Sequence, residues 1–181
     1  MSDREQVRPP GAVEPIERRV AAVLDRLGVP YELFAIDPAY ADTAAFCRRY
    51  AVSLEHAANT ILVASKKEPR QYAACVVKAT TRLDVNRTVR RLMGAARVSF
   101  ASAEETVART GMMLGGVTVF ALPEDLPIYV DERVMALDWI ILGSGSRASK
   151  IRTSPEVFRR LPGAVIVPGL AVDGPSAAPP P

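Results

Sequence analysis

Apolar residues recur along the chain with two periods, and these periods predict where helices and strands lie. In residues 16–27 they fall three or four positions apart on one face, which predicts a helix that ends at Gly28. Residues 31–36 alternate as in a strand. Two continuous apolar runs, 60–64 and 72–77, are separated by a polar segment and predict a hairpin of buried strands.

The rest of the chain predicts shorter elements in an irregular order. Further short helices are expected at 43–50, 53–58, 84–92, 102–109, 131–137 and from 154 onward, and further strands at 98–101, 117–122, 128–130, 139–142 and 164–167. Because regular β-α-β alternation is absent, a doubly wound parallel sheet fits poorly. We predict a single α+β domain over residues 16–167, with a mixed β-sheet surrounded by helices. A flexible N-terminal tail (1–15) and a Pro-rich flexible C-terminal tail (168–181) are expected to flank it.

Composition excludes several classes of protein and of site. The 181 residues are 49% apolar and 24% charged, which is typical of one globular domain and not of a disordered or collagen-like chain. Cys47 and Cys75 cannot form a disulfide scaffold and are expected to be core thiols. The single histidine, His56, cannot support a multi-histidine metal site, and we expect it at the surface or in packing. Phosphate-loop and dinucleotide-binding motifs do not occur in the sequence. We therefore expect neither a metal nor a cofactor.

The distribution of charged residues along the chain says more about partners than the net charge does. The net charge of +3 is too small to indicate nucleic-acid binding by itself. Between positions 82 and 97, however, five arginines stand with one acid; they are Arg82, Arg87, Arg90, Arg91 and Arg97. Such a cluster suits a phosphate-bearing partner, although a solvated helix face is an equally good interpretation. Neither a signal peptide nor a membrane-spanning run is present, so a cytoplasmic protein without a membrane partner is expected.

Glycines are the best candidates for a functional loop. Five of the eleven lie between 111 and 145, and the adjacent Gly115 and Gly116 precede a predicted strand. Glycines let the backbone approach a ligand closely. Backbone groups can position a water or stabilise an oxyanion without a titrating side chain. A turn that only needs glycine is the simpler alternative.

Several short segments follow one another in a specific order and spacing. They are residues 24–31, 42–44, 58–63, 72–77, 83–85, 110–111, 115–118, 126–131 and 141–147. Together they resemble the YbaK/EbsC family, free-standing relatives of the editing domain inserted in bacterial prolyl-tRNA synthetases. The resemblance covers about residues 16–167.

The resemblance implies an α+β fold with a partly barrel-like sheet, and hydrolysis of mischarged aminoacyl-tRNA without a metal. It places Gly115 and Gly116 in a loop that lines the aminoacyl pocket, where a backbone-positioned water attacks the ester. We expect further substrate contacts from Thr43, Thr60, Thr118, Gly143, Ser144 and Lys150.

Two positions depart from the family's pattern. Asn59 stands where the family has a functional lysine that faces the tRNA 3′ end. Asparagine can hydrogen-bond a phosphate or a carbonyl but supplies no positive charge. In the glycine loop, residues 115–119 keep a hydroxyl in Thr118 but lose a proline that is common in relatives. We hypothesise that Lys150 or Lys78 restores a charge at the site; the alternative is that both are solvated lysines.

Three functions remain open. The first is a trans-acting aminoacyl-tRNA deacylase in which Asn59, Gly115 and Gly116 are catalytic and the arginine cluster helps to hold tRNA. Its partners would be the 3′ end of aminoacyl-tRNA and, as a candidate, an aminoacyl-tRNA synthetase. The second is a module that binds an aminoacyl or nucleotide ligand, or a synthetase, without hydrolysis; Asn59 favours it. The third is a hydrolase for another small acyl ester. The match in fold and pocket glycines favours the first.

Overall fold

The computed structural model describes residues 15–174, in which short helices and strands alternate irregularly. The α-helices are α1 (Pro15–Leu27), α2 (Thr43–Tyr50), α3 (Arg90–Leu92), α4 (Ala103–Thr110), α5 (Glu132–Met135) and α6 (Glu156–Arg160). The strands are β1 (Tyr31–Ala35), β2 (Ala58–Ser65), β3 (Tyr72–Lys78), β4 (Thr81–Leu83), β5 (Val98–Phe100), β6 (Ile128–Asp131), β7 (Ile140–Gly143), β8 (Ser149–Thr153), β9 (Ala164–Val167) and β10 (Ala171–Asp173). Two 3-10 turns (Pro38–Tyr40 and Leu54–His56) and a π-helical turn (Val85–Val89) complete the description.

The main sheet has five strands in the order β5-β2-β3-β6-β9. The β2–β3 hairpin is antiparallel, with Asn59 opposite Val77, whereas β3–β6 and β6–β9 are parallel. Strands β1-β8-β7 form a separate antiparallel sheet, and β4 pairs with β10. The predicted hairpin and the predicted α+β class with a mixed sheet are therefore confirmed.

The main sheet separates two packed layers because successive side chains of a strand point to opposite faces. Ile61 and Val63 of β2 pack in the cluster that contains Val89, in the π-helical turn. Leu62 packs in the cluster that contains Val117, which follows the adjacent glycines. The arginine-bearing segment and the glycine loop thus lie on opposite sides of the same sheet.

One strand prediction is wrong and two helices differ from their predictions. The helix predicted at 53–58 is only a 3-10 turn, Leu54–His56, because Ala58 already lies in β2. Residues 117–122 do not form a strand: 117–120 are buried throughout, and Ala121 has a φ of 65°. This run is apolar because it is enclosed by other elements, not because it alternates within a sheet. The predicted helix at 84–92 begins with the π-helical turn and continues as α3, and the Asp84 carboxylate accepts from the Thr88 backbone N–H as an N-cap.

The predicted tails are described only in part. Residues 1–14 and 175–181 lie outside the described residues. At the start of the predicted C-terminal tail, β10 pairs with β4, and the Asp131 carboxylate accepts a 2.8 Å hydrogen bond from the Ala171 backbone N–H. Between residues 15 and 174, no helix combines the length and the apolarity that crossing a membrane requires.

Candidate functional site

The turn that enters α2 contacts two residues predicted to act in the site. The Ala41 carbonyl accepts a 2.7 Å hydrogen bond from the Lys150 ammonium. Two residues further on, the Thr43 hydroxyl donates to Asn59 Oδ1 over 2.6 Å. This turn therefore joins the start of β2 to strand β8, which the sequence separates by about ninety positions.

Arg147 fixes the glycine loop to the same turn. Its guanidinium donates to the Leu114 carbonyl over 2.7 Å and to the Pro38 carbonyl over 3.1 Å. It also pairs with the Asp42 carboxylate at 3.2 Å. Gly115 has a φ of 86°, and a Cβ at this position would collide with the Arg147 guanidinium. A glycine is thus required where the loop passes under this arginine.

Lys150 places a buried positive charge beside the glycine loop. Its side chain projects from β8, the residue is only 4% exposed, and the ammonium donates to the carbonyls of Ala41 (2.7 Å) and Gly115 (3.0 Å). The ammonium also lies 5.6 Å from the ring centroid of Phe46, a favourable cation–π distance. Burial lowers the pKa of Lys150 to about 8, and the nearby Asp42 carboxylate opposes this shift. The ammonium therefore remains mostly charged at neutral pH.

Lys78 and His56 are engaged at a neighbouring surface. The Lys78 ammonium lies 2.7 Å from the Glu55 carboxylate. The His56 ring stacks on Trp139 with a centroid distance of 3.9 Å, and its Nδ1 lies 3.0 Å from the Trp139 carbonyl oxygen. Of the two lysines considered from the sequence, Lys150 is the one that contacts the glycine loop.

The glycine loop and the β7–β8 connection pack backbone against backbone. Gly145 N–H donates to the Gly116 carbonyl over 2.7 Å. A Cβ on Gly116 would collide with the Ser146 carbonyl, and one on Gly143 would collide with the Val117 carbonyl. Because every close neighbour is main chain, no side-chain rotation relieves these collisions. The two segments can approach this closely only because the contact positions are occupied by glycine.

Ser144 belongs to a buried network that orders this connection. Its hydroxyl donates to the Ser149 carbonyl over 3.0 Å and lies 2.7 Å from the Ser149 hydroxyl. Ser149 and Ser146 both donate to the carboxylate of Glu17, at 2.5 and 2.6 Å. Sequence reasoning missed Glu17, which is 2% exposed, although it falls on the same helical stripe as Val20. The feature of the sequence that could have revealed this residue is an acidic side chain on the apolar face of a predicted helix.

Two threonines carry polar atoms that no described residue satisfies. The hydroxyls of Thr60 and Thr118 are buried, and neither has a hydrogen-bond partner within residues 15–174. Thr118 is fully buried, and its backbone N–H donates to the Met112 sulfur over 3.4 Å. Buried hydroxyls normally find a partner. These two hydroxyls are therefore exceptions to this rule.

The cysteine thiols and the acidic side chains give little support for a nucleophilic cysteine or a metal site. Cys47 and Cys75 are buried, and burial raises the pKa of both thiols, which disfavours a nucleophilic thiolate. In the part of the chain that the structure describes, no three His, Cys, Asp or Glu side chains are grouped so as to hold a metal ion.

The arginine cluster is not brought to the glycine loop. The arginines predicted to bind tRNA are all exposed; they are Arg82, Arg87, Arg90 and Arg91. They surround the turn that contains Val89, which packs on the face of the main sheet opposite to Val117. A ligand that touches both regions must therefore extend around the edge of the sheet.

A cleft of about 360 Å³ lies elsewhere. Its lining includes Arg70, Tyr72, Leu92, Met93, Arg109 and Tyr129. Tyr72 pairs with Ala64, at the end of the β2–β3 hairpin remote from Asn59. The cleft shares no residue with the site around the turn.

Comparison with known proteins identifies the family. The family model described as the aminoacyl-tRNA editing domain matches residues 37–161, a span that includes the turn at 41–43, Asn59, the glycine loop and Lys150. The chain belongs to the aminoacyl-tRNA editing domain family. The resemblance found in the sequence is thereby confirmed.

Solved structures show the same editing-domain fold. The hypothetical protein APE2540 superposes with a TM-score of 0.75 at 24% identity, over 85% of this chain and 99% of that chain. A protein described as a candidate trans-editing enzyme for prolyl-tRNA synthetase superposes with a TM-score of 0.75 at 21% identity, over 90% of this chain and 100% of that chain. No curated protein matches the chain in sequence.

Proposed function

We propose that this editing domain is a trans-acting aminoacyl-tRNA deacylase, which hydrolyses the ester of mischarged tRNA. The observation that best supports this, beyond the family, is the buried Lys150 ammonium held against the Gly115 carbonyl. An ammonium has three N–H groups, and Ala41 and Gly115 accept two of them. We assign the third to the carbonyl oxygen of the bound ester.

The reaction needs a positioned water and stabilisation of negative charge. Water attacks the ester carbonyl carbon, the bond from this carbon to the ribose oxygen breaks, and that oxygen takes a proton from the attacking water as the free amino acid leaves. Charge on the carbonyl oxygen develops beside Lys150, where low exposure strengthens the interaction. We assign the positioning of the water to the backbone of Gly115 and Gly116.

The remaining polar groups suit recognition of the substrate. We assign the hydroxyls of Thr60 and Thr118, which have no hydrogen-bond partner within residues 15–174, to contacts with the amino acid or the ribose. The side-chain oxygen of Asn59 accepts the hydrogen bond from the Thr43 hydroxyl. The two amide N–H groups of Asn59 therefore remain for the terminal adenosine or its phosphate.

A second candidate is a binding module that retains the site but has lost hydrolysis. Asn59 favours it, because this position carries a lysine in the family that the sequence resembles. Asparagine supplies no charge, so charge at the site would have to come from other groups such as Lys150.

Deacylation of a panel of aminoacyl-tRNAs by the wild type and by Asn59→Lys tests the proposal. We expect the wild type to release the amino acid from one or a few members of the panel. Turnover only by Asn59→Lys would support the binding module instead. If both folded proteins are inactive on every member, the deacylase proposal is wrong.

We also predict that the arginine cluster contributes to tRNA affinity through phosphate contacts. Each phosphate contact contributes about 0.9 to the slope of log affinity against log salt. The double variant Arg90→Ala, Arg91→Ala should therefore bind tRNA more weakly and lower that slope by about 2, as measured by filter binding from low to physiological salt. Arg26→Ala on α1 is the control. An unchanged slope would contradict the contact, and weak salt dependence in the wild type would favour a small acyl ester as substrate.

A further inference from the structure

Aromatic rings and cations form a continuous series of contacts from the site to the surface. The Lys150 ammonium lies 5.6 Å from the ring centroid of Phe46. The Phe46 and Tyr50 rings are 5.2 Å apart. The Arg49 guanidinium then lies 5.9 Å from the Tyr50 centroid and 5.5 Å from that of Tyr40.

The outer end of this series is an exposed platform formed by Tyr40, Arg49 and Tyr50. The two tyrosines are 37% and 36% exposed, which is high for large aromatic residues. The platform is held in place, because the Tyr50 hydroxyl accepts a 2.9 Å hydrogen bond from the Asp37 backbone N–H. The chain between its members contains the turn at 41–43 that contacts Asn59 and Lys150.

The chemistry of the platform matches unpaired nucleotides. Exposed rings can stack on bases, which present a free face only where the strand is single. An arginine that lies over the rings can add both stacking and a phosphate contact. Arg48, also exposed, adds a second cation on the same helix, whereas the nearby Asp42 carboxylate is paired with Arg147.

We propose that Tyr40, Arg49 and Tyr50 bind the unpaired nucleotides at the 3′ end of the tRNA substrate, an inference that rests on the proposed function. The esterified adenosine occupies the site around Lys150, and the nucleotides before it bind at the exposed platform. The exposed arginines on the far face of the main sheet do not serve this purpose, because they are separated from the site by the sheet.

The test uses uncharged RNA, so that it does not depend on hydrolysis. One labelled hairpin carries an unpaired 3′ end of four nucleotides that finishes in CCA, and a second carries the same 3′ end paired to a complementary extension. Affinities of the full chain for both are measured with the wild type, Tyr40→Leu, Tyr40→Phe, Arg49→Gln and the control Arg26→Gln. Melting temperatures are recorded for all five proteins.

We expect the wild type to prefer the unpaired end. Tyr40→Leu and Arg49→Gln should each weaken binding to that RNA about tenfold, within the range for loss of one stacking contact. Tyr40→Phe retains the ring and should bind as the wild type does, and so should Arg26→Gln. Binding to the paired hairpin should not change.

Three results would overturn the platform: a wild type that binds both hairpins equally, a folded Tyr40→Leu that keeps full preference for the unpaired end, or an equal loss of affinity for both RNAs. The proposed function fails separately. A wild type that binds through the platform but deacylates no aminoacyl-tRNA would support the platform and contradict the deacylase.

Discussion

Replacing Lys150 with methionine is expected to lower kcat for deacylation about a hundredfold, with a smaller change in KM. Methionine has a similar length and no charge, so the substitution removes the ammonium while filling its space. Loss of one preorganised donor to a developing oxyanion typically costs two to three orders of magnitude. Single-turnover release of the amino acid from tRNA measures the effect. The carbonyls of Ala41 and Gly115 lose their donor, so the melting temperature should fall modestly.

The pH profile separates the charge of Lys150 from its structural contribution. Burial lowers the pKa of Lys150 to about 8, so its charge is present below this pH and is lost above it. After subtraction of the hydroxide-catalysed background, wild-type kcat should therefore decline above pH 8. The kcat of Lys150→Met should show no such decline. Lys78→Met removes a charge that is engaged with Glu55 and is the matched control. Equal activity of Lys150→Met and Lys78→Met would contradict the assignment.

The sequence predicted helices and strands well where one face of the element is buried or where all of its consecutive residues are buried. The helix expected at 43–50 is observed with those bounds, and β2 and β3 extend the predicted apolar runs by one or two residues. Strand β8 was missed because its sequence, Ser-Lys-Ile-Arg-Thr, contains one apolar residue. Its other buried side chains are polar and are satisfied by distant groups such as the Pro30 carbonyl and Glu17. No local period reveals a strand of this kind.

The candidate site was partly visible in the sequence for a similar reason. The adjacent glycines stood out, and the structure shows that a positive φ favours glycine at position 115 and that close backbone contact requires glycine at position 116. The sequence could not distinguish Lys150 from Lys78, because the choice depends on a hydrogen bond to Ala41 across 109 positions. The platform was equally hidden, since the contacts of Arg49 with Tyr40 and Tyr50 depend on how the 3-10 turn meets α2.

Substituting alanine for Gly116 is expected to lower the rate of deacylation about a hundredfold and to destabilise the fold by about 2 kcal/mol. The added Cβ meets the Ser146 backbone, so the glycine loop and the β7–β8 connection must move apart. The shift also stretches the hydrogen bond from Gly145 to the Gly116 carbonyl. Displacement of a reacting group by about 1 Å can lower the rate about a hundredfold. We therefore expect a large loss of rate in a protein that still folds. Chemical denaturation and single-turnover deacylation measure the two effects.

Gly94→Ala is the control that isolates the collision. Gly94 has a φ of 59°, and a Cβ there would meet open space, so alanine brings backbone strain of about 1 kcal/mol without a clash. Both variants restrict the unfolded chain equally, so that contribution cancels in the comparison. Gly116 has no positive φ, and its cost therefore comes from the contact with Ser146. If Gly116→Ala deacylates as fast as Gly94→Ala, the close approach of the two segments is not needed for catalysis, and the glycines serve the turn alone.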